Sequence, residues 1–338
     1  MVNDIHLRLN ASERSYFAIL KREVALLATS ANFSPKRLAE IDIVVAEMVS
    51  NLVKHANGGE ILVKLIEEKG VQGIEIICID NGPGISDVRN MMKDGVSSTN
   101  TLGNGLGAIQ RLSNFFQIYT HKGWGTILLS RIFAKELPVS RVSNPIEIRS
   151  LVVPKPGETE CGDNFSVKQT QEHIKLFLGD GLGHGKDAAI AVNTAIDAFN
   201  LCESDSPVEN IRFIHNSVKK TRGLVGTIAI FSLKNKQWKI CGVGNISTRM
   251  FSSAIDKTLT SYNGIVGLNI PKTMNDHLIE YIPGQLIMMC SDGIKSKWDV
   301  LKLPGIMRND LSLLNAALFK DFTRNTDDSS IASCKISL

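Results

Sequence analysis

The 338-residue sequence predicts an α/β chain, of the α+β kind, folded as two domains. Three observations carry that expectation. The length exceeds one ordinary domain. The first 133 residues mix helical periodicity with hairpin patterns, and beyond residue 149 short apolar strands dominate, interrupted by two helical stretches. Between them, over 134–149, the apolar period fails and Pro138 and Pro145 appear, which marks a boundary. The expected division is 1–136, a short linker at 137–146, and 147–338.

In order, residues 5–9 alternate apolar and polar side chains and read as an edge strand. A helical pattern covers 12–30. Ser34-Pro35, an N-cap followed by proline at the first helical position, opens a second helix to about 56. Residues 60–67 and 73–80 read as a hairpin around a Lys-Gly turn, and a Gly/Ser/Thr/Asn loop covers 81–104. A short helix over 106–114 and a hairpin around 122–125 complete the first domain. In the second, strands are expected at 165–167, 173–179, 227–233, 238–242, 248–251, 286–290 and 331–336, with helices at about 186–202 and 207–222.

Composition narrows the function classes. With 43% hydrophobic and 21% charged residues the chain is ordinary globular material, and 38 basic against 34 acidic residues leave no excess of the kind a nucleic-acid surface needs. The opening MVNDIHLRLN lacks a signal-peptide layout, and no apolar run approaches the ~18 residues that span a bilayer, so no membrane partner and a cytoplasmic setting are expected. Six scattered cysteines form no C-x-x-C pair and read as reduced, buried thiols.

Three clusters in the first domain suit one ligand. Glu47 and Asn51 lie four apart on the second helix and share a face; an Asn carbonyl is a hard oxygen for magnesium, and a Glu one turn earlier can accept a proton. Asp80-Asn81-Gly82-Pro83-Gly84 follows a strand, where a carboxylate can accept from the adenine amine and the glycines let backbone pass the ring. Gly103-Asn104-Gly105-Leu106-Gly107 opens a helix, whose amides can cradle phosphate. A solvated helix face and a tight turn would explain the first two singly. No strand leads directly into the third, which argues against a dinucleotide-binding unit, and it lacks the G-K-[ST] ending of a P-loop.

In this order the clusters resemble the N, G1 and G2 boxes of the GHKL (Bergerat) ATP-binding fold, an α/β sandwich. The stretch 38–133 is most similar to the small serine kinases of bacterial partner-switching systems, the anti-sigma-factor kinases and the switch kinase of the general stress response. The segment Asp94–Thr99 and the pair Gly125-Thr126 also fit. The resemblance implies Glu47 as general base, Asn51 as magnesium ligand, Asp80 as adenine anchor, Gly82 and Gly84 backing the nucleotide, Gly103, Gly105 and Gly107 as phosphate lid, and Thr126 near the base.

The second domain carries Asp163, Asp180-Gly181, Asp292-Gly293 and Asp327-Asp328 at the ends of apolar stretches. Each alone is more often a turn. Together, hard carboxylates without a Cys/His set suit magnesium or manganese, and two such ions can activate water for in-line attack on a phosphoryl group. The set resembles the type 2C protein phosphatases, an αββα sandwich, in their bacterial sporulation-and-stress branch, and is most similar to the phosphatase that resets the stressosome. The resemblance implies Asp180 bridging two metals with the Gly181 carbonyl and Asp163 beside it. Asp292 and one of Asp327 and Asp328 would hold the second ion, with Asp327 favoured by matching Asp-Asp to the family's Asp-Asn. No arginine before Asp163 matches the phosphate-gripping residue of eukaryotic relatives; His184 and Lys186 are the alternatives, against a solvated loop.

The fusion implies a bifunctional regulator. The first domain would use ATP to phosphorylate a Ser or Thr of a STAS-type partner or stressosome-type phosphoprotein, and the second would remove that phosphate. In the alternative, only the phosphatase is catalytic and the first domain binds ATP and a partner, such as a sigma factor or a downstream phosphatase. Oligomeric state stays open.

Overall fold

The computed structural model describes residues 5–11, 17–56, 58–92, 105–138, 145–252 and 256–338. The chain forms two compact units: Met1–Val142 with Leu303–Ala317, and Ser143–Lys302 with Leu318–Leu338. Residues 303–317 therefore join the first unit, where a single cut at 137–146 would have put them in the second. The expected helix start at 12, the segment 94–99, Gly103 and most of the expected linker lie outside the described residues.

Unit 1 is one five-stranded antiparallel sheet built from β1 (Leu7–Asn10), β2 (Glu60–Glu68), β3 (Val71–Ile79), β4 (Phe115–His121) and β5 (Gly125–Phe133), in the order β1-β2-β3-β5-β4. The β2–β3 turn is Lys69-Gly70, both at positive φ (52° and 75°), the pairing a two-residue hairpin needs to match strand twist. Helices α1 (Phe17–Ser30), α2 (Pro35–His55) and α4 (Gly105–Leu112) share one core with a face of this sheet; a single helical turn, α3 (Val88–Met91), lies between α2 and α4 in the chain. The α2 entrance is local chemistry: the Ser34 hydroxyl accepts from the Arg37 amide at 3.3 Å, with proline in the first turn. Its apolar stripe, Ile41, Val44, Val45, Met48, Val49 and Leu52, meets Ile61 and Val63 of β2 and Ile74, Ile76 and Cys78 of β3.

The opposite sheet face holds charge. Arg131 on β5 donates through Nε to Glu75 on β3 (2.7 Å), through both Nη atoms to Asp310 (2.7 Å each) and through Nη2 to Ser312 (2.9 Å). Ser312 Oγ in turn donates to Glu75 (3.0 Å), and the Asp310 amide to Gln117 Oε1 (2.9 Å). All three charged side chains are at most 7% exposed. Residues 303–317 are thus part of the unit's packing, tied by a largely buried ion network.

Unit 2 holds two five-stranded antiparallel sheets. The first runs β13 (His277–Glu280), β10 (Gln237–Val243), β9 (Leu224–Ser232), β8 (His173–Gly181), β7 (Asp163–Gln169); the second runs β12 (Asp256–Leu259), β11 (Ser247–Phe251), β14 (Leu286–Cys290), β15 (Ser329–Ile336), β6 (Ile146–Val153). Helices α5 (Lys186–Leu201) and α6 (Pro207–Ser217) pack on β8, β9 and β10 through Val192, Phe199 and Ile211 against Phe177, Ile228 and Cys241. Every β9 residue is buried. The expected helix to 222 stops at Ser217 because the chain must turn at Gly223, φ 82°, to start β9. A further helix, α7 (Leu311–Phe322), whose residues to Ala317 belong to unit 1, is apolar nearly all round and so shows no amphipathic stripe in the sequence. No helix among the described residues is long and apolar enough to cross a membrane.

Candidate functional site

Two sites form, one in each unit. In unit 1, half-buried Glu47 and Asn51 on α2 face the first residue of α4. A Cβ on Gly105 would lie 3.0 Å from Glu47 Oε2 and 3.5 Å from Asn51 Oδ1, so glycine there keeps open the space between a proton acceptor, a hard oxygen ligand and a helix N-terminus. Gly107, two residues further along the same helix, is buried.

Asp80 follows β3 and is held by its neighbours. Its Oδ1 accepts from the Gly82 amide (2.8 Å) and the Thr126 amide (3.1 Å), and its own amide donates to the Thr126 carbonyl (3.0 Å). Thr126 is buried, its hydroxyl 3.1 Å from that of Thr120. Gly84 takes φ 74°, and a Cβ would strike the His121 carbonyl; at Gly82 it would sit 3.0 Å from Ala56 and from Asp80 Oδ1. The structure therefore brings Glu47, Asn51 and Gly105 together, and Asp80, Gly82, Gly84 and Thr126 together. His55 lies one turn beyond Asn51; partial burial and then Lys54 lower its pKa, while Asp80 opposes them.

In unit 2, β7 and β8 pair so that Asp163 stands opposite Asp180. Asp292 follows β14 and Asp327-Asp328 precede β15; the Ser291 amide donates to the Ser330 carbonyl and the Ser330 amide to Ser291 Oγ, each at 3.0 Å, which ties these two strand ends together. Asp180, Asp292 and Asp327 line a cavity of about 340 Å³. Asp328 is turned to other work: its two oxygens accept from the Lys155 amide (2.8 Å) and the Gly162 amide (2.9 Å). The Gly181 amide donates to the Gly162 carbonyl (2.9 Å), fixing the loop after β8. Asn245, also on the cavity wall, donates to Asp292 Oδ2 (2.9 Å). His184 pairs with Glu158 at 2.9 Å in an exposed loop.

The buried carboxylates carry an electrostatic cost. Asp163 is buried with no hydrogen-bond donor on Oδ2. Burial raises its pKa to about 7, helped by Asp328 and Asp292 and opposed by the Ser291 and Ser330 hydroxyls. Burial also holds Asp180 well above the carboxylate range, with Asp163, Asp292, Asp327 and Asp328 adding to it. A divalent ion reverses each of these penalties, and the all-oxygen donor set suits magnesium or manganese. Among the described residues no three Asp, Glu, His or Cys side chains are grouped closely enough to hold a metal ion by themselves. Cysteines take no part: burial keeps the Cys161 thiol well above its ordinary pKa, and all six are buried and unbridged.

Comparison with known proteins finds relatives of two kinds. Residues 10–131 match the histidine kinase-like ATPase domain. The serine/threonine-protein kinase RsbT of Bacillus subtilis (strain 168) is 34% identical over 100 residues, covering 30% of this chain and 75% of RsbT. The phosphoserine phosphatase RsbX of the same organism is 22% identical over 144 residues, covering 41% of this chain and 70% of RsbX. Among solved structures, a chain from work on the bacterial stressosome as a modular system for secondary messenger signalling aligns with TM-score 0.53 and 28% identity, over 56% of this chain and 98% of its own. RsbX in complex with magnesium aligns with TM-score 0.52 and 21% identity, over 58% and 98%; that likeness is one of fold.

Proposed function

Since the chain belongs, through its first unit, to the histidine kinase-like ATPase family beside the kinase RsbT, and carries a phosphatase fold in its second, we propose that it is a cytoplasmic partner-switching regulator with two opposed activities. Unit 1 moves the γ-phosphoryl of ATP to a Ser or Thr hydroxyl of a STAS-type partner. The hydroxyl oxygen attacks phosphorus, Glu47 takes its proton, and ADP leaves; Asn51 would supply an oxygen to magnesium, Asp80 would anchor adenine with Thr126 near the base, and the α4 amides would face the phosphates. Positioning and charge neutralisation carry such a transfer.

Unit 2 hydrolyses the phosphoserine or phosphothreonine so formed. Asp163, Asp180, Asp292, Asp327 and the Gly181 carbonyl would hold two magnesium or manganese ions; Asp328, occupied by two backbone amides, positions the loops instead. Bound ions supply neutralisation of the phosphoryl charge and a more acidic water. Asn245 orients Asp292.

The observation that carries the kinase reading is Glu47 facing the α4 N-terminus beside Asn51, because a module that only binds ATP needs no proton acceptor there. The test follows the mass of a STAS-domain protein incubated with the full chain, ATP and magnesium or manganese. Glu47→Ala should abolish phosphate gain and Asp292→Ala phosphate loss. Nucleotide binding without phosphate transfer by the wild type would make unit 1 a binding module, and no effect of either substitution would overturn both assignments.

A further inference from the structure

Resting on the reading of unit 2 as a phosphatase, we propose that Arg222 grips the phosphoryl oxygens of the substrate and that Asp187 is the carboxylate it leaves to do so. Arg222 stands in the turn between α6 and β9. That turn is fastened to the loop after Asp180, because the Leu182 amide donates to the Gly223 carbonyl at 3.1 Å. Gly183, next in the loop, lines the cavity together with Asp180, Asp292 and Asp327. The Arg222 guanidinium lies across Gly183: Nη1 is 3.0 Å from where a Cβ would project. Gly183 also has φ 80°, so glycine there serves both the bend of the loop and the room for the cation.

A phosphomonoester brings negative charge into a cavity already walled by three carboxylates. Ions offset the carboxylates, and a planar fork of N–H donors matches phosphoryl oxygens better than a point charge. Two neighbouring cations, Arg324 and His184, are otherwise engaged. Arg324 donates through Nε to the Asp292 carbonyl, and its amide donates to the Gly293 carbonyl, both at 2.8 Å, so it braces the strand end. His184 is paired with Glu158.

Arg222 is different because its ion pair is loose. Nη2 lies 3.3 Å from Asp187 Oδ2, with the two side chains 50% and 64% exposed. An exposed pair of this kind contributes little and exchanges readily for a better acceptor. Asp187 loses little in return, since it sits in the first turn of α5, where the helix N-terminus favours a carboxylate.

The experiment uses the full chain with manganese, a phosphoserine peptide as substrate and inorganic phosphate as competitor. Arg222→Ala should raise KM about tenfold to a hundredfold and weaken phosphate inhibition in parallel, with kcat changed less than about threefold. Arg222→Lys should fall between, and Asp187→Asn should leave KM at or below the wild-type value. A merely structural pair would instead make Asp187→Asn as harmful as Arg222→Ala, and that result overturns the proposal, as does a KM within twofold of wild type for Arg222→Ala. Should the wild type release no phosphate at all, the phosphatase reading fails separately. Calorimetric binding of inorganic phosphate to wild type and Arg222→Ala then decides the role of Arg222, equal affinities refuting it.

Discussion

Replacing Arg131 by methionine tests the account of unit 1 most severely. The substitution keeps an unbranched chain of similar reach, so the packing over Phe115, 4.9 Å below the guanidinium, is largely retained. It removes four donated hydrogen bonds and leaves Glu75 and Asp310 buried, both hydrogen-bonded to Ser312. Summing charge-assisted bonds at ~1.5–3 kcal/mol each would overstate the loss, since the bonds are not independent and intact burial of the ions is itself costly. Breaking a buried pair by removing one partner typically costs about 3–5 kcal/mol, and Arg131 serves two carboxylates, so about 4–5 kcal/mol is expected. For a unit of this size that lowers the melting temperature by roughly 10–15 °C. Urea unfolding gives the free energy, and hydrogen exchange at the β3 and β5 amides locates it. Adding Asp310→Leu to Arg131→Met should restore part of the loss, because one of the two uncompensated carboxylates disappears. If Arg131→Met unfolds within about 0.5 kcal/mol of wild type, an effect ordinary for exposed sites, the network does not hold residues 303–317 in unit 1.

Three further outcomes are expected. Arg131, with His6 and Lys64, outweighs burial and holds Glu75 well below its usual pKa of 4.5; a depressed carboxylate contributes stability that is full above its unfolded pKa and lost as pH falls through the folded one, so unit 1 should weaken below about pH 4.5 and Glu75→Gln should flatten that acid limb in pH-dependent unfolding. Gly84→Ala should destabilise the loop after β3 by about 1–3 kcal/mol and reduce ATP affinity measured by calorimetry, because alanine meets positive φ and the His121 carbonyl together. Manganese at a hundred times its dissociation constant should stabilise unit 2 by about 2.7 kcal/mol, whereas Asp180→Asn should abolish that gain yet raise the metal-free melting temperature by removing a carboxyl penalised first by burial and then by its acidic neighbours.

Local chemistry was readable from the sequence because it depends on near neighbours. Four-residue spacing puts Glu47 and Asn51 on one face of α2, Ser34-Pro35 starts that helix, and Lys69-Gly70 turns the β2–β3 hairpin. The acidic residues at strand ends were legible for the same reason. Assignments between them were not. Whether Asp327 or Asp328 reaches the cavity depends on which backbone amides lie nearby, and those belong to Lys155 and Gly162, far away in the chain. Arg222 became visible only when the turn before β9 was fastened to the loop after Asp180.

By itself, then, the sequence determined where helices, turns and glycine-flanked carboxylates fall along the chain, since periodicity, capping and turn chemistry act over a few residues. Only the tertiary structure decided that residues 303–317 fold with unit 1. Asp310 is an unremarkable acidic residue in the chain. It gains its role from burial opposite Arg131 across 179 positions, where a low-dielectric surrounding turns an ordinary ion pair into a condition of the fold.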